Sequence, residues 1–339
     1  MQMVSKLVSL LREKLLLWTA VLGFAEMSAQ DAVFSQFYAA PVQINPAFAG
    51  STVAPRVALN YRDQWHNIPN AYATFAVSYD QFFEKANSGI GLTLMNDRQG
   101  DGILSKNSAH VTYSYRLQTR KNLTLKLGVE AGGAQSSLDW GRLVFLDMID
   151  PVNGISGATS QEIPPASFTK NYLDFGAGLV AYNRKFYAGI SLKHLNSPNV
   201  SFLNKNANIN TGLPTRLTLN AGYEFVLEEN RKNQSVTYVS PYILLLSQGP
   251  YRMLNVGAQA GINGFFGGIG FRHAFRNSDA VVVNFGVKKG IFKVGYSHDT
   301  AINGLPNSWG AHELSLLLNF DDLCNNSKPN YNDCFKFFR

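Results

Sequence analysis

Three motifs contain residue types that could do chemistry, but none has the spacing that the chemistry needs. His312 and Glu313 begin the sequence HELSL, in which Leu316 stands where a zinc protease places its second histidine. The sequence DRQGDG at 97–102 lacks the alternating ligands and distant glutamate of a calcium loop, so a glycine-rich turn is favoured. Serine, histidine and aspartate occur without the spacing of a triad. We predict no catalytic residue, metal ligand or cofactor, and an outer-membrane enzyme is kept only as a minor alternative.

The two cysteines, Cys324 and Cys334, lie after the last strand pattern. In an oxidising compartment they could close a small disulfide loop. Two unpaired thiols are the alternative. Two cysteines are too few for a zinc site or a disulfide-based fold.

Composition favours a sheet protein. Charged residues make up 16% of the chain and aromatic residues 12%, with 29 glycines, which suits strands that have one polar and one apolar face. The net charge of +7 is spread along the chain and gives little support to nucleic-acid binding, so no nucleic-acid partner is predicted.

The first thirty residues resemble an export signal. Lys6, Arg12 and Lys14 precede the apolar run 15–24, and small residues follow at 28 and 29. Cleavage is expected near Gln30 or Asp31. Because no later apolar run is long enough for a spanning helix, we expect the exported chain to cross lipid only as a closed barrel.

An alternation of apolar and polar residues dominates the chain from Val53 to Asp321. The segment 254–263, for example, alternates Leu, Val, Ala, Ala and Ile with Asn, Gly, Gln, Gly and Asn. We predict an all-β, outer-membrane, antiparallel barrel of about fourteen strands. Their centres are expected near residues 58, 76, 92, 112, 128, 176, 189, 220, 241, 257, 269, 284, 295 and 316.

The predicted connections alternate between short and long, and the longest runs from Ser136 to Lys170. Outer-membrane barrels have short periplasmic turns and longer external loops. An even strand number then predicts both termini on the periplasmic side. Aromatic residues beside the short turns are expected in an interfacial girdle: Phe82, Phe83, Tyr182, Phe186, Tyr187, Phe225, Phe292 and Phe320.

The polar phase of the strands predicts a lumen of mixed charge, with glycines such as Gly128 that relieve crowding inside it. The lumen-facing charged and polar residues are expected to be Arg56, Asn60, Arg62, His110, Arg116, Lys126, Glu130, Lys193, Arg216 and Glu224. The short turns are basic, and Arg120, Lys121, Arg231 and Lys232 are candidates for docking an acidic periplasmic partner. Contact with lipid headgroups and solvent is the alternative.

Five blocks of the sequence are distinctive: DAVFSQFYAAPVQINPAFAG at 31–50, YRDQWHNIP at 61–69, the block 174–199, GYSHDTAINGL at 295–305 and GAHELSLLLNF at 310–320. In this order they resemble the PorP/SprF family of Bacteroidetes outer-membrane proteins. The loop 136–170 and the cysteine-bearing tail match no block. The family-motif residues are Phe34, Ser35, Gln36, Asn45, Pro46, Gly50, Arg62, Gln64, Trp65, Asp80, His194, Asp299, His312 and Glu313.

The resemblance implies a non-enzymatic outer-membrane component of type IX secretion and gliding motility, which serves large adhesin-type substrates. It also implies partners: outer-membrane lipid, periplasmic ring proteins of the secretion system, an OmpA-like peptidoglycan-binding protein and a secreted adhesin. The alternative is a passive channel for small solutes, similar to the fatty-acid transporter barrels, which also have an inserted N-terminal segment containing NPA.

The predicted organisation has four parts: a signal at 1–30, a pre-barrel or plug segment at 31–52, the barrel at 53–321 and a periplasmic tail at 322–339. The aromatic residues of Phe34 to Gly50 have no strand partner of their own. We therefore hypothesise that this segment folds back into the lumen or against its periplasmic mouth.

Overall fold

The structure is a computed structural model that describes residues 31–52, 54–65, 67–68, 71–120, 123–157, 159–202, 212–230, 235–275, 279–302 and 310–323. The predicted signal, the turn residues Lys121, Arg231 and Lys232, and both cysteines lie outside the described residues.

Fourteen antiparallel strands form one closed barrel. They are β1 (Arg56–Gln64), β2 (Tyr72–Phe83), β3 (Ser88–Gln99), β4 (Leu104–Arg120), β5 (Leu123–Leu138), β6 (Thr169–Tyr182), β7 (Phe186–Lys193), β8 (Arg216–Tyr223, continued by Phe225–Asn230), β9 (Ser235–Gln248), β10 (Tyr251–Ile262), β11 (Phe265–Ala274), β12 (Ala280–Lys289), β13 (Phe292–Ala301) and β14 (Ala311–Asn319). β1 closes the ring by pairing with β14, from Arg56 opposite Asn319 to Gln64 opposite Ala311. Each predicted strand centre lies in one of these strands, so the predicted fold is confirmed.

The two parts of β8 form a single strand. Both pair with β9, and the register that sets Gly222 opposite Tyr242 continues to Phe225 opposite Val239. The residue between them, Glu224, donates its backbone N–H to the carbonyl of Lys185 at 2.6 Å. The pairing of β8 with β7 and β9 therefore continues across Glu224, and the barrel remains closed.

Alternation along each strand separates a buried inner face from an apolar outer face. In β14, Ala311, Glu313 and Ser315 are buried inside the barrel, whereas Leu314 is 53% exposed. In β4 the outward Val111 is 58% exposed beside the fully buried inner Thr112. The outer face thus presents large apolar side chains where lipid would contact them.

One outer edge of this apolar surface is polar. Asn96, Asn107, Gln135 and Asn171 lie side by side on β3 to β6 in register and form what we term the amide row. Asn96 donates to Asn107 at 2.6 Å, and Gln135 donates to Asn171 at 3.0 Å. Because amides avoid hydrocarbon, this row marks the end of the lipid-facing band on this side of the barrel.

Loops separate by length at the two ends of the barrel, as the sequence predicts. The end at Arg56 has the short connections 84–87, 121–122, 183–185, 231–234, 263–264 and 290–291. The opposite end has the longer connections 65–71, 139–168, 194–215 and 302–310. The connections 100–103 and 249–250 are exceptions, since both are short although they lie at the long-loop end.

The N-terminal segment occupies the lumen. We define the plug as residues 31–54, which contain three short helical turns, Phe37–Ala39, Pro41–Ile44 and Pro46–Phe48. Asp31 contacts Lys106 and Arg216 at the long-loop end, and Ala54 donates to Asp321 at the other end. The barrel strands begin and end at one side, as predicted, but residue 31 lies at the opposite mouth because the plug runs the height of the barrel.

Aromatic side chains lie against glycines at several other places in the lumen. A Cβ on Gly257 would lie 2.5 Å from the hydroxyl of Tyr242, and one on Gly261 would lie 2.4 Å from the ring of Tyr238.

The predicted interfacial girdle of aromatic residues is correct only in part. Phe83, Phe186, Phe225 and Phe292 face outward, whereas Phe82, Tyr182 and Tyr187 are buried inside and Phe320 is half-buried.

No helix in the described part of the chain is both long and apolar enough to span a membrane.

Candidate functional site: the plug and its anchors

Glu313 anchors the part of the plug near the long-loop end of the barrel. Its carboxylate accepts the backbone N–H of Ser35 at 2.7 Å and that of Gln36 at 2.9 Å. Arg62 forms an ion pair with Glu313 and a second one with Asp299 at 2.9 Å, and Asp299 accepts the hydroxyl of Ser35 at 2.7 Å. Arg272 lies 3.0 Å from Asp299, so two guanidinium groups face the two buried carboxylates where water cannot screen them.

A second charged cluster holds the first described residue. The carboxylate of Asp31 contacts Lys106 at 2.8 Å, Arg216 at 3.2 Å and the imidazole of His194. The other ring nitrogen of His194 lies 2.9 Å from Asp174. Burial opposes ionisation of Asp31, but Lys106, His194 and Arg216 outweigh it and hold the pKa of this carboxyl well below its usual range. Asp31 is therefore an anionic anchor at neutral pH.

Asn45 connects the middle of the plug to the barrel wall. Its amide donates to the carbonyls of Leu179 at 3.1 Å and Ile190 at 3.0 Å, while its side-chain oxygen accepts the N–H of Ala47 at 2.9 Å. It thus caps the turn that Pro46 begins, since proline at the first helical position needs no N–H partner. The local structure of the plug therefore explains the Asn45-Pro46 sequence without any ligand.

A third buried pair holds the inner end of the plug. Arg56 binds Asp80 through two hydrogen bonds, at 2.9 and 3.1 Å, and Asp80 also accepts the N–H of Gly50 at 2.8 Å. Gly50 has a φ of +59°, which favours glycine. Lys126 donates to the carbonyls of Ala49 at 2.6 Å and Gly50 at 2.9 Å, so the plug backbone is held from two sides.

Glycines of the wall make room for the plug. A Cβ on Gly128 would lie 2.2 Å from the nitrogen of Ala47, and one on Gly178 would lie 2.1 Å from the side-chain oxygen of Asn45. A Cβ on Gly89 would lie 2.2 Å from the carbonyl oxygen of Ala49. These distances are far below contact distance, so the glycines permit the close approach of two backbones.

Most of the predicted family-motif residues meet at the plug. Phe34, Ser35, Gln36, Asn45, Pro46 and Gly50 belong to it, and five others hold it directly or through one partner: Arg62, Asp80, His194, Asp299 and Glu313. Gln64 accepts from Arg62 at 3.3 and 3.1 Å.

Two motif residues lie apart from the plug. Trp65 has a φ of 63° and packs edge-on against Tyr72, with 5.0 Å between ring centroids. His312 faces outward and lies 2.7 Å from the hydroxyl of Tyr296. The docking candidates and the cysteines are untested, because Lys121, Arg231, Lys232, Cys324 and Cys334 lie outside the described residues and only the backbone of Arg120 is described.

Sequence reasoning placed Arg56, Lys126 and Arg216 in the lumen but did not identify them as plug anchors, and it missed Asp31 and Lys106. The sequence did contain an indication of this role. Charged residues of both signs on the inner faces of the strands must find partners inside the barrel. The backbone groups of an inserted segment are one such set of partners.

The plug packs closely against the wall at this site. The cavity between plug and wall lined by Phe34, Phe37, Arg216 and Leu244 has a volume of about 20 Å³, room for roughly one water molecule. No group of three or more histidine, cysteine, aspartate or glutamate residues is positioned to hold a metal ion, as far as the described residues go.

Fold and site together define an outer-membrane-type β-barrel whose lumen contains a fixed N-terminal plug. The chain belongs to the PorP/SprF family, described as type IX secretion system membrane protein PorP/SprF, whose family model matches residues 26–318. It is therefore a membrane component of type IX secretion, and an outer-membrane location follows. None of the curated proteins matches the chain.

Among solved structures, the chain is similar to other outer-membrane barrels. The toluene transporter TodX of P. putida is 12% identical, with 81% of this chain and 92% of that chain covered and a TM-score of 0.45. BamA from Haemophilus ducreyi lacking POTRA domains 1–3 is 8% identical, with coverages of 78% and 70% and a TM-score of 0.38. A Pseudomonas aeruginosa FadL homologue is 11% identical, with coverages of 78% and 90% and a TM-score of 0.38. These similarities concern the fold alone.

Proposed function

We propose that this protein is a non-enzymatic outer-membrane component of the type IX secretion and gliding motility machinery. It supports export or surface attachment of large adhesin-type substrates and docks to periplasmic partners. Its partners are periplasmic ring proteins, an OmpA-like peptidoglycan-binding protein and a secreted adhesin. The family membership supports the machinery, and the plugged lumen supports a role that depends on position rather than conduction.

The observation that carries the proposal is the filled lumen. Buried ion pairs hold the plug at both ends, through Glu313 and Asp31 near one mouth and Asp80 near the other. A passive channel for small solutes requires a continuous path, and this plug would have to leave its anchors to open one. Removing one partner of a buried pair costs about 3–5 kcal/mol, so spontaneous opening is disfavoured.

Periplasmic docking is proposed for the end with the short turns. Among the described residues at this end, the exposed basic residues Lys85, Arg184, Lys185 and Lys289 outnumber the exposed acidic residues Glu84 and Glu228. A positive surface of this kind attracts an acidic partner and increases its association rate. Arg120, Lys121, Arg231 and Lys232 belong to turns at the same end by their position in the chain.

The test is complementation of a strain that lacks this gene. The wild-type protein should restore adhesin-type substrates at the cell surface and should co-purify with ring proteins from detergent-extracted membranes. A variant with Arg120, Lys121, Arg231 and Lys232 all changed to glutamate should reach the membrane but lose the co-purification, because it repels an acidic partner.

The matched control changes Arg98 and Arg252, which are exposed at the opposite end, to glutamate and should keep the co-purification. Normal surface substrates in the strain without the gene would refute the proposed function. Unchanged recovery of ring proteins with the reversed turns would refute the docking surface alone.

A further inference from the structure

The longest connection, residues 139–168 between β5 and β6, is an organised element that the motifs do not account for; we call it the outer loop. The carboxylate of Asp147 accepts the hydroxyl of Ser160 at 2.8 Å and the N–H of Gln161 at 2.6 Å, joining the two halves of the loop. These bonds lower the pKa of Asp147, so it stays ionised at neutral pH.

A small hairpin forms the tip of the outer loop. Ile149 pairs with Ile155, and Asp150 accepts the N–H groups of Val152 at 2.9 Å and Asn153 at 2.7 Å. The same two bonds, that of Asn153 first, lower the pKa of Asp150. The tip therefore has a defined shape and is anionic.

The base of the outer loop is attached to its neighbours. Arg142 binds the carboxylate of Asp101 at 2.5 Å and its carbonyl at 2.7 Å. Trp140 packs against Phe145, with 4.7 Å between ring centroids, and the centroid of Phe168 is 6.5 Å away. The polar and aromatic groups named here are thus paired within the loop or with the neighbouring connection between β3 and β4.

The large aliphatic side chains of the outer loop, in contrast, are mostly exposed. Leu146 is 88% exposed, Val152 is 89% exposed and Ile163 is 87% exposed, and Ile155 at the tip is 67% exposed. Exposing several large aliphatic side chains on an ordered loop is unfavourable in water, and such surfaces commonly mark interaction sites.

Lipid does not account for these side chains. The loop begins beyond the amide row, and the next outward residues on the same strands, Ser105 and Ser137, are polar and 3.3 Å apart. Along β4 and β5, two polar rows therefore separate the start of the outer loop from the lipid-facing band.

Charge indicates the chemistry of the partner. Asp147, Asp150 and Glu162 lie beside the exposed aliphatic residues, and the one basic residue of the loop, Arg142, is paired with Asp101. Two copies of this acidic loop would repel each other, as would the loop and an anionic lipid headgroup. A basic partner would be attracted.

We propose that the outer loop is a docking surface for a segment of an exported polypeptide that presents apolar side chains flanked by basic ones. This inference rests on the proposed function, since it supplies the contact through which an exported protein meets the barrel. Leu146, Val152 and Ile163 provide the apolar contact, and Asp147, Asp150 and Glu162 select for positive charge.

The test measures binding of two synthetic peptides to the full-length protein in nanodiscs, with empty nanodiscs subtracted. The peptides share the same leucine positions and differ in having lysine or glutamate between them. The lysine peptide should bind at least about tenfold more tightly than the glutamate peptide. The combined variant Leu146→Ser, Val152→Ser and Ile163→Ser should weaken lysine-peptide binding at least about tenfold, because it removes three exposed apolar contacts.

The matched control, Thr159→Ala with Gln161→Ala, changes exposed polar side chains of the same loop and should bind like wild type. Limited proteolysis of the loop checks that the serine variant keeps its shape. Equal binding of both peptides, or unchanged binding by the serine variant, would overturn the inference. So would a photo-crosslinker at position 152 that labels in cells only lipid or a second copy of this chain.

Complementation separates this inference from the proposed function. If the serine variant restores surface substrates as well as wild type does, the outer loop is not the docking surface, and the proposed function stands. If the strain without the gene already has normal surface substrates, the proposed function itself fails.

Discussion

At the scale of single residues, the same type of ion pair contributes differently to stability inside and outside the barrel. The side chains of Arg56 and Asp80 are 1% and 2% exposed, whereas those of Arg142 and Asp101 are 43% and 55% exposed. Removing one partner of a buried pair leaves an uncompensated charge, while water screens an exposed pair. The buried pair therefore has a structural role, and the exposed one positions a loop with little effect on stability.

We expect Asp80→Asn to lower the free energy of unfolding by about 3–5 kcal/mol, because Arg56 loses its countercharge and Gly50 a charged acceptor. The control Asp101→Asn should cost less than about 1 kcal/mol. Urea denaturation of the protein in lipid vesicles measures both. Similar losses for the two variants would show that the buried pair does not fasten the plug.

Residue types in the sequence indicated this site only in part. Glu313 and Asp299 could be selected by the family resemblance, and period two placed Arg62 on the inner face. Their shared role in holding the plug could not be predicted, because the groups of the plug that donate to the Glu313 carboxylate are the backbone N–H groups of Ser35 and Gln36. A backbone group has no signature in the sequence, and the contact exists only after the barrel has closed.

At the scale of elements, the strands were predictable and the course of the plug was not. Each strand must present one face to lipid and one to the lumen, which imposes the alternation seen in β14. The segment 34–50 has no such constraint, so its sequence predicted a non-strand segment that folds back into the lumen or against its mouth, but not its path or its partners. Its position in the lumen follows from glycines on β5 and β6 that admit its backbone.

We expect Gly128→Ala to destabilise the barrel by about 1–3 kcal/mol, since its new methyl group would collide with the backbone of Ala47. Gly133→Ala, on the same strand, is the control, because the nearest atom to its methyl group would be the carbonyl oxygen of Tyr172 at 3.7 Å. The measurement is the temperature at which heat-modifiable gel mobility is lost. Equal transitions for the two variants would mean that the plug does not contact the wall at Gly128.

At the scale of the whole molecule, a closed barrel, a fastened plug and an ordered outer loop fit a component that holds others in place. The ends differ: one has short basic turns, and the other has the acidic, aliphatic outer loop. Nothing in such a role requires the lumen to open. A small-solute channel, in contrast, would need the plug to leave it.

Locking the plug by a disulfide tests this distinction most directly. A Cβ on Gly91 would lie 3.4 Å from the Cβ of Ala49, close to the distance of about 3.5–4.5 Å that disulfides require. The variant Ala49→Cys with Gly91→Cys, made with Cys324→Ser and Cys334→Ser, should therefore oxidise readily. We predict that oxidised and reduced cells present the same amount of exported substrate at their surface. Loss of surface substrate on oxidation, restored by reductant, would contradict a role in which the plug stays in place.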